Sequence, residues 1–328
     1  MSPEQEKETT QILRILSLYN RLTNGDTIVK KEEALHYKVS EKSIQRDLNS
    51  IRAFLETEKS NEYIDYDRSQ KVYKLETNQP TWLTSEEIFA ILKVLIESRA
   101  FPKHEMDCII DKLTHLSRKE EQPIMKQMMA NEKHLYAELH HKKELLSVLW
   151  RLSLAIQSKK VIKIHYKREF DEQASERKVQ PVGIIFSEYY FYLIAYPVNK
   201  DFDYPTIYRV DRIVQFEQTP TTFKIPYQER FQEGEFRKRV QFMYTGQLMT
   251  IKFRFTGASP QAVLDRLPTA KVIKHTENGI IFEAEVFGKG IKMWLLSQGA
   301  GVEVLAPASF REEIADSIRK MYNMYLES

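Results

Sequence analysis

Cysteine is almost absent: Cys108 is the only one in 328 residues. A lone thiol excludes an intrachain disulfide framework and a multi-cysteine zinc site. Long apolar runs are missing too, none approaching the roughly 18 residues of a membrane span. The N-terminus, MSPEQEKETT, lacks the apolar core of a secretory signal, so a cytoplasmic location and no membrane partner are expected. A large charge of one sign is also lacking. The net charge is +3 with a pI of about 8.6, which permits nucleic-acid binding without requiring it, because charge steers an anion only when focused in a patch. There is no Walker A loop and no G-x-G-x-x-G fingerprint, and Ser187-Glu188 lacks a G-x-S-x-G context. His140-His141 beside Lys142-Lys143 lacks the spacing of a helical metal pair, and reads as a polar face. No catalytic residue, metal or cofactor is therefore expected, and the chain reads as a non-enzyme.

What is present fits a globular protein of two or three domains, with 42% hydrophobic and 29% charged residues. Four zones are expected: 8–78, 80–158, 159–222 and 240–328. In the first, Ile12, Ile15, Leu16, Tyr19 and Leu22 predict the inner face of a helix, which Asn24-Gly25-Asp26 ends. A short helix at Lys31 to Tyr37 follows. A second long helix, EKSIQRDLNSIRAFLE, is capped by Ser40 and packs through Ile44, Leu48, Ile51 and Leu55. NEYIDYD and KVYKLE around Arg68-Ser69-Gln70 read as a hairpin. The second zone reads as a helical connector with its own small core, opened by a capping signature at Thr84-Ser85-Glu86-Glu87. The third is strand-rich and reads as a small barrel or sandwich. After a bridge, IPYQERFQEGEFRKRVQFM, the fourth reads as strand, helix, hairpin, helix, strand and helix. The fold class is thus multidomain α+β.

The order helix, short helix, helix, hairpin is that of a winged helix-turn-helix. Its second long helix presents Lys42, Ser43, Gln45, Arg46 and Asn49 outward, residue types that read base edges or hold phosphates. Arg68 and Lys71 on the hairpin tip would contact backbone or minor groove. Charge alone does not decide this, since Lys30 to Lys74 carries ten Lys and Arg against nine Asp and Glu.

In the third zone, YYFYLIAYP (Tyr189 to Pro197) has five aromatics in nine residues. Alternation places Phe191, Leu193 and Ala195 on one face, assigned to the core, and Tyr190, Tyr192, Ile194 and Tyr196 on the other. The second face meets either packing or a ligand.

Three motifs carry a family resemblance. VSEKSIQRDL, through Val39, Ser40, Ile44, Arg46, Asp47 and Leu48, resembles the recognition helix of DeoR-like winged-helix regulators, with Ser43 in place of threonine. YFYLIAY resembles the element that names WYL-domain regulators: Tyr192-Leu193 match its last two letters and Phe191 replaces its tryptophan. Arg177, Val179 and Pro181 fit that family's R-x-V-x-P, and Tyr208 to Ile213 fit its F-R-L-D-R-I. The fourth zone is similar to the C-terminal extension of these regulators. The resemblance implies an Sm-like or SH3-like barrel that senses a nucleotide-like or single-stranded nucleic-acid effector, and a ferredoxin-like C-terminal module. It implies a homodimer on double-stranded operator DNA. Effector residues would be Tyr192, Arg209 and Arg212, with Arg177 and Tyr166: guanidinium forks for phosphate and phenols for stacking. The packing alternative stays beside it, with Arg212 paired to Asp211 or Glu217 and Arg177 on a solvated loop. So does a nucleic-acid-binding factor that regulates nothing and uses the barrel directly on single strands.

Overall fold

The structure, a computed structural model, describes residues 3–23, 25–58, 61–77, 83–198, 205–224, 231–244 and 246–326. Asn24, Trp82 and residues 225–230 of the bridge lie outside this set. Chain contacts divide into two compact units, Met1–Arg99 with Lys103–Ala137, and Glu138–Ser328 with Ala100–Pro102. Secondary structure is mixed α+β throughout.

The first unit opens with α1 (Pro3–Thr23), α2 (Lys30–His36) and α3 (Glu41–Thr57), followed by the antiparallel pair β1 (Glu62–Asp67) and β2 (Val72–Thr77). Gly25 takes φ +86 just after α1, a backbone that favours glycine. Ser40 caps α3 by accepting from the Ser43 N–H. Ile44, Leu48, Ile51 and Leu55 are buried and pack with Leu18, Leu22, Ile28 and Tyr73. The inner face of α1 differs from the expected one. Ile12 and Leu16 are 55% and 56% exposed, while Arg14 is buried, its Nε donating to Asp47 Oδ2 at 2.6 Å. A cation takes the position where periodicity expects an aliphatic, because Asp47 sits on the buried side of α3. In the β1–β2 turn, Asp67 Oδ1 accepts from the Ser69 and Gln70 N–H groups, and the Ser69 bonds draw its carboxyl below the usual range. Three further helices complete the unit, α4 (Ser85–Ser98), α5 (Lys103–His115) and α6 (Gln122–His134). Thr84 and Glu87 close a reciprocal capping box on α4.

The second unit begins with α7 (Leu146–Gln157). Its periodicity places this helix in the expected connector, but it lies on the strands that follow it, through buried Leu152 and Ala155, so the connector's helices are shared between the two units. Five strands follow: β3 (Lys160–Tyr166), β4 (Ser175–Ser187), β5 (Tyr190–Pro197), β6 (Thr206–Arg209) and β7 (Ile213–Thr222). They form one antiparallel sheet in the order β6-β5-β4-β3-β7, with a 3-10 turn, Val210–Arg212, joining its two edge strands. α8 (Glu233–Arg239) then lies against β4 and β5. Phe236, Val240 and Met243 pack there on Ile185 and Ile194. Gly183 sits where a Cβ would collide with Glu233 and Phe231.

The last module runs β8 (Leu248–Phe255), α9 (Pro260–Arg266), β9 (Lys271–Thr276), β10 (Gly279–Phe287), α10 (Gly288–Ser297), β11 (Val302–Ala306) and α11 (Ala308–Leu326). Its sheet order is β11-β8-β10-β9 with all neighbours antiparallel. Phe253, Phe282, Trp294, Phe310 and Ile314 form its core. Gly290 in α10 abuts the Gln241 carbonyl so closely that a Cβ there would overlap it.

Candidate functional site

The β5 strand does not have one packed face and one open face. Leu193, Ile194 and Ala195 are all fully buried, because α8 covers the side that alternation leaves outward. Tyr192 is half-buried and packs beside Ile185, Ile194 and Phe236. Phe191 meets Phe186 and Phe101 at 5.1 and 5.5 Å between ring centroids. Burial raises the Tyr192 phenol to about 12, so it stays a neutral donor at physiological pH.

At the end of that strand the register pairs Tyr192 with Arg209. Directly opposed residues share a face, and Tyr190 is their diagonal neighbour. The Arg209 guanidinium lies 3.5 Å from the centroid of the Tyr190 ring. Its Nε and Nη2 donate to Asp211 Oδ1 and Oδ2 at 3.1 and 2.7 Å, a bidentate fork. Burial opposes the charge on Arg209, and the Asp211 bonds and charge outweigh it, so its pKa is raised. Asp211 is only 6% exposed; it lies in the 3-10 turn, not on a strand, so the chain bends at Val210, before Arg212. The buried Tyr166 hydroxyl accepts from the Arg209 backbone N–H at 3.2 Å, and desolvation raises its pKa.

The other two arginines are placed differently. Arg212 Nη2 donates to Glu169 Oε2 at 2.7 Å, rather than to Asp211 or Glu217. Arg177 lies on β4 opposite the buried Ile164, which sets it on the sheet face of Tyr166 and not on a loop. Its Nε is buried with no hydrogen-bond partner among the described residues, so its side chain retains an unsatisfied donor.

Two contributors were passed over in the sequence. Lys143 Nζ donates to the Asp211 carbonyl at 2.6 Å, and the His141 ring lies 6.4 Å from Tyr190. Nothing in HHKK signals this, since long-range packing alone brings the segment to the cluster. Tyr190 was recoverable, because it shares the Tyr192 face. Burial lowers the His141 pKa from 6.5, partly offset by Asp211. A depressed histidine pKa gives stability that is complete above 6.5 and lost as pH falls through that value toward the folded pKa. His141→Asn is expected to flatten a small drop in melting temperature between about pH 7 and pH 5, read by thermal scans of both proteins.

On the first unit, Lys42, Arg46 and Asn49 are exposed along α3, as are Arg68 and Lys71 at the hairpin tip. Lys71 takes φ +56 there. Gln45 is engaged internally: its Oε1 accepts from Lys30 Nζ at 3.0 Å and Tyr73 Oη at 2.9 Å, and its Nε2 donates to Asn49. The Ser43 and Ser40 hydroxyls share a 2.9 Å bond. Arg46 has no ion pair among the described residues.

Residues 147–218 match the WYL domain and residues 247–322 the WCX domain. No curated protein matches the chain. Among solved structures, proteasome accessory factor B/C (PafBC) of Arthrobacter aurescens is similar at 17% identity and a TM-score of 0.30, over 93% of this chain and 46% of that one. The chain thus spans about half the length of that protein. A CRISPR Cas-related protein is similar at 14% identity and a TM-score of 0.37, over 74% of this chain and 73% of that one. The five-stranded sheet that holds Arg209 and Tyr192 therefore falls in a WYL domain, and the last sheet and its helices in a WCX domain.

Proposed function

We propose that the chain is a ligand-responsive, sequence-specific DNA-binding transcriptional regulator that carries out no catalysis itself. The observation that carries this reading is the pairing of two features in one chain. One is a helix fixed by a fully buried stripe and presenting Lys42, Arg46 and Asn49 outward beside a hairpin tipped by Arg68 and Lys71. The other is a WYL domain with a clamped arginine on an aromatic ring. The α1–α2–α3–β1–β2 order supports a winged helix-turn-helix whose α3 enters the major groove. Arg46 is the free donor for a guanine edge or a phosphate, while Gln45 and Asn49 must exchange internal bonds for base contacts.

At the effector site, Asp211 takes two N–H groups of Arg209, and a guanidinium has five. The remaining donors, with Arg212, Arg177 and Lys143, suit a phosphate oxygen, and Tyr190 and Tyr192 supply ring surface beside it. This supports a nucleotide-like or single-stranded nucleic-acid effector. The regulator is proposed to act as a homodimer on half-sites about 34–36 Å or a multiple apart. Effector binding shifts DNA affinity by as much as it distinguishes two arrangements of the DNA-binding domains.

Genomic fragments captured by the full chain supply the duplex for testing. Arg46→Ala is expected to weaken that duplex roughly 5- to 150-fold, corresponding to about 1–3 kcal/mol, with an unchanged melting temperature because the side chain is exposed. Unchanged affinity removes the recognition-helix assignment. Short single strands and nucleotides are then titrated into the complex. A change in duplex affinity is expected; tight single-strand binding without one favours the non-regulatory factor.

A further inference from the structure

A chain of side-chain hydrogen bonds runs along one side of α3 and fixes the polarity of its two amides. Lys30 Nζ and Tyr73 Oη both donate to Gln45 Oε1, at 3.0 and 2.9 Å. Gln45 Nε2 donates to Asn49 Oδ1 at 3.2 Å, and Arg52 Nη1 donates to the same oxygen at 3.2 Å. Arg52 Nη2 also reaches the Ile64 carbonyl of β1 at 3.5 Å. The chain is thus tied to α2 at one end and to the hairpin at the other.

Neither amide can be turned round. Lysine and arginine only donate, so the atom that meets Lys30 is the Gln45 oxygen and the atom that meets Arg52 is the Asn49 oxygen. Gln45 then turns its nitrogen to Asn49, an orientation that the network itself dictates. An amide oxygen has two lone pairs, and each of these oxygens receives two donors. Among the described residues, the groups left uncommitted are one N–H of Gln45 and both N–H groups of Asn49. Lys42 and Arg46, exposed on the same helix, also only donate.

The neighbours oppose release of either oxygen. Tyr73 is 6% exposed, and its hydroxyl loses its acceptor within the core if Gln45 turns away. Lys30 and Arg52 lie over the Tyr73 ring, 5.5 and 5.7 Å from its centroid, which holds in place the two cations that feed the chain.

We propose that the groove-facing side of α3 is donor-only and selects guanine, with Lys30, Tyr73 and Arg52 as positioning residues that set this choice through Gln45 and Asn49. Guanine offers two acceptors, N7 and O6, side by side in the major groove. Adenine sets an amino donor beside its N7, and the side chain that pairs with both is an asparagine or glutamine with a free oxygen. Gln45 and Asn49 have none. The proposal rests on α3 as the recognition helix and adds the base which that helix selects.

The test is selection of a randomised duplex library by the full chain, repeated with Asn49→Ala to mark the positions this side chain reads. Guanine is expected at those positions, and 7-deazaguanine there, which lacks the N7 acceptor, should weaken binding about fivefold or more. Arg52→Met opens a lone pair on Asn49 and should move the guanine-to-adenine ratio about fivefold or more toward adenine. Arg52→Lys keeps a donor and should keep the ratio. An arginine that served only the fold would change overall affinity and leave the ratio alone. If Arg52→Met unfolds, Tyr73→Phe is read instead, since it opens Gln45 Oε1 in the same way, at positions marked by Gln45→Ala. Another base at the Asn49 positions, no position marked by Asn49→Ala, full binding to the 7-deazaguanine duplex, or an unchanged ratio in the folded variant overturns the proposal. Failure to enrich any sequence removes the DNA-binding reading and the proposal with it, an outcome distinct from an enriched site with the wrong base.

Discussion

Asp47→Ala is expected to destabilise the first unit by about 3–5 kcal/mol, because it strands the Arg14 guanidinium in the core. Asp47 is fully buried and Arg14 is 8% exposed, so water cannot replace the lost partner. Gln11 Nε2 also loses its 3.4 Å acceptor on Asp47. A loss of this size lowers the melting temperature by roughly 10 °C or more, read by thermal or urea unfolding. The companion experiment is decisive about cause. Replacing both partners with apolar residues, Arg14→Met with Asp47→Leu, should recover most of the loss, since a buried pair contributes little beyond satisfying its own charges. If the double variant is as unstable as Asp47→Ala alone, the site depends on the ion pair's shape rather than on charge compensation. Duplex binding retained by the double variant would also separate scaffolding from recognition, because Arg46, next in sequence, is exposed.

Arg209→Ala and Arg212→Ala are expected to part company, although both belong to one sequence motif. Removing Arg209 leaves the 6%-exposed Asp211 carboxylate without its fork and costs about 2–3 kcal/mol. Arg209→Lys should restore part of that, as a point charge without bidentate geometry. Arg212 instead pairs with Glu169, which is 68% exposed, and such a surface pair is worth about 0–1 kcal/mol. Arg212→Ala should therefore melt within about 0.5 kcal/mol of the parent while losing the effector response of duplex binding. A full response in a folded Arg212→Ala removes that arginine from the effector site. A fully stable Arg209→Ala would show that Asp211 finds another donor, with Lys143 the nearest candidate.

The elements whose signals are local were legible in the sequence. The Thr84–Glu87 capping box, the Ser40 cap and the Ile44/Leu48/Ile51/Leu55 stripe depend on residues within about three helical turns of one another. The inner face of α1 was misread because Arg14 breaks the apolar pattern, and its partner is 33 residues away. The second face of β5 stayed open between packing and a ligand for a related reason. Period-2 alternation presumes one wet face, whereas Phe236 and Val240, more than 40 residues downstream, cover the Ile194 side. At the candidate site, the TIYRVDRI arginines were visible as charges. Their separation into a clamped Arg209 and a surface-paired Arg212 depends on a 3-10 turn that no spacing rule marks. Asp211 read as an alternative partner of Arg212, and it is instead the buried partner of Arg209.

Two of the glycines that press against neighbouring segments, Gly183 and Gly290, bracket α8. Gly183 lets β4 lie close to Glu233 and Phe231 at the start of α8, and Gly290 lets α10 lie against the Gln241 carbonyl just after it. The ten or so residues between those clamps are thus pinned at both ends, one end to the sheet and the other to the C-terminal module. A side chain introduced at Gly290 would have to displace the Gln241 backbone, whereas one at Gly183 would first meet the Glu233 and Phe231 side chains, so the two ends of the segment differ in how firmly they are held.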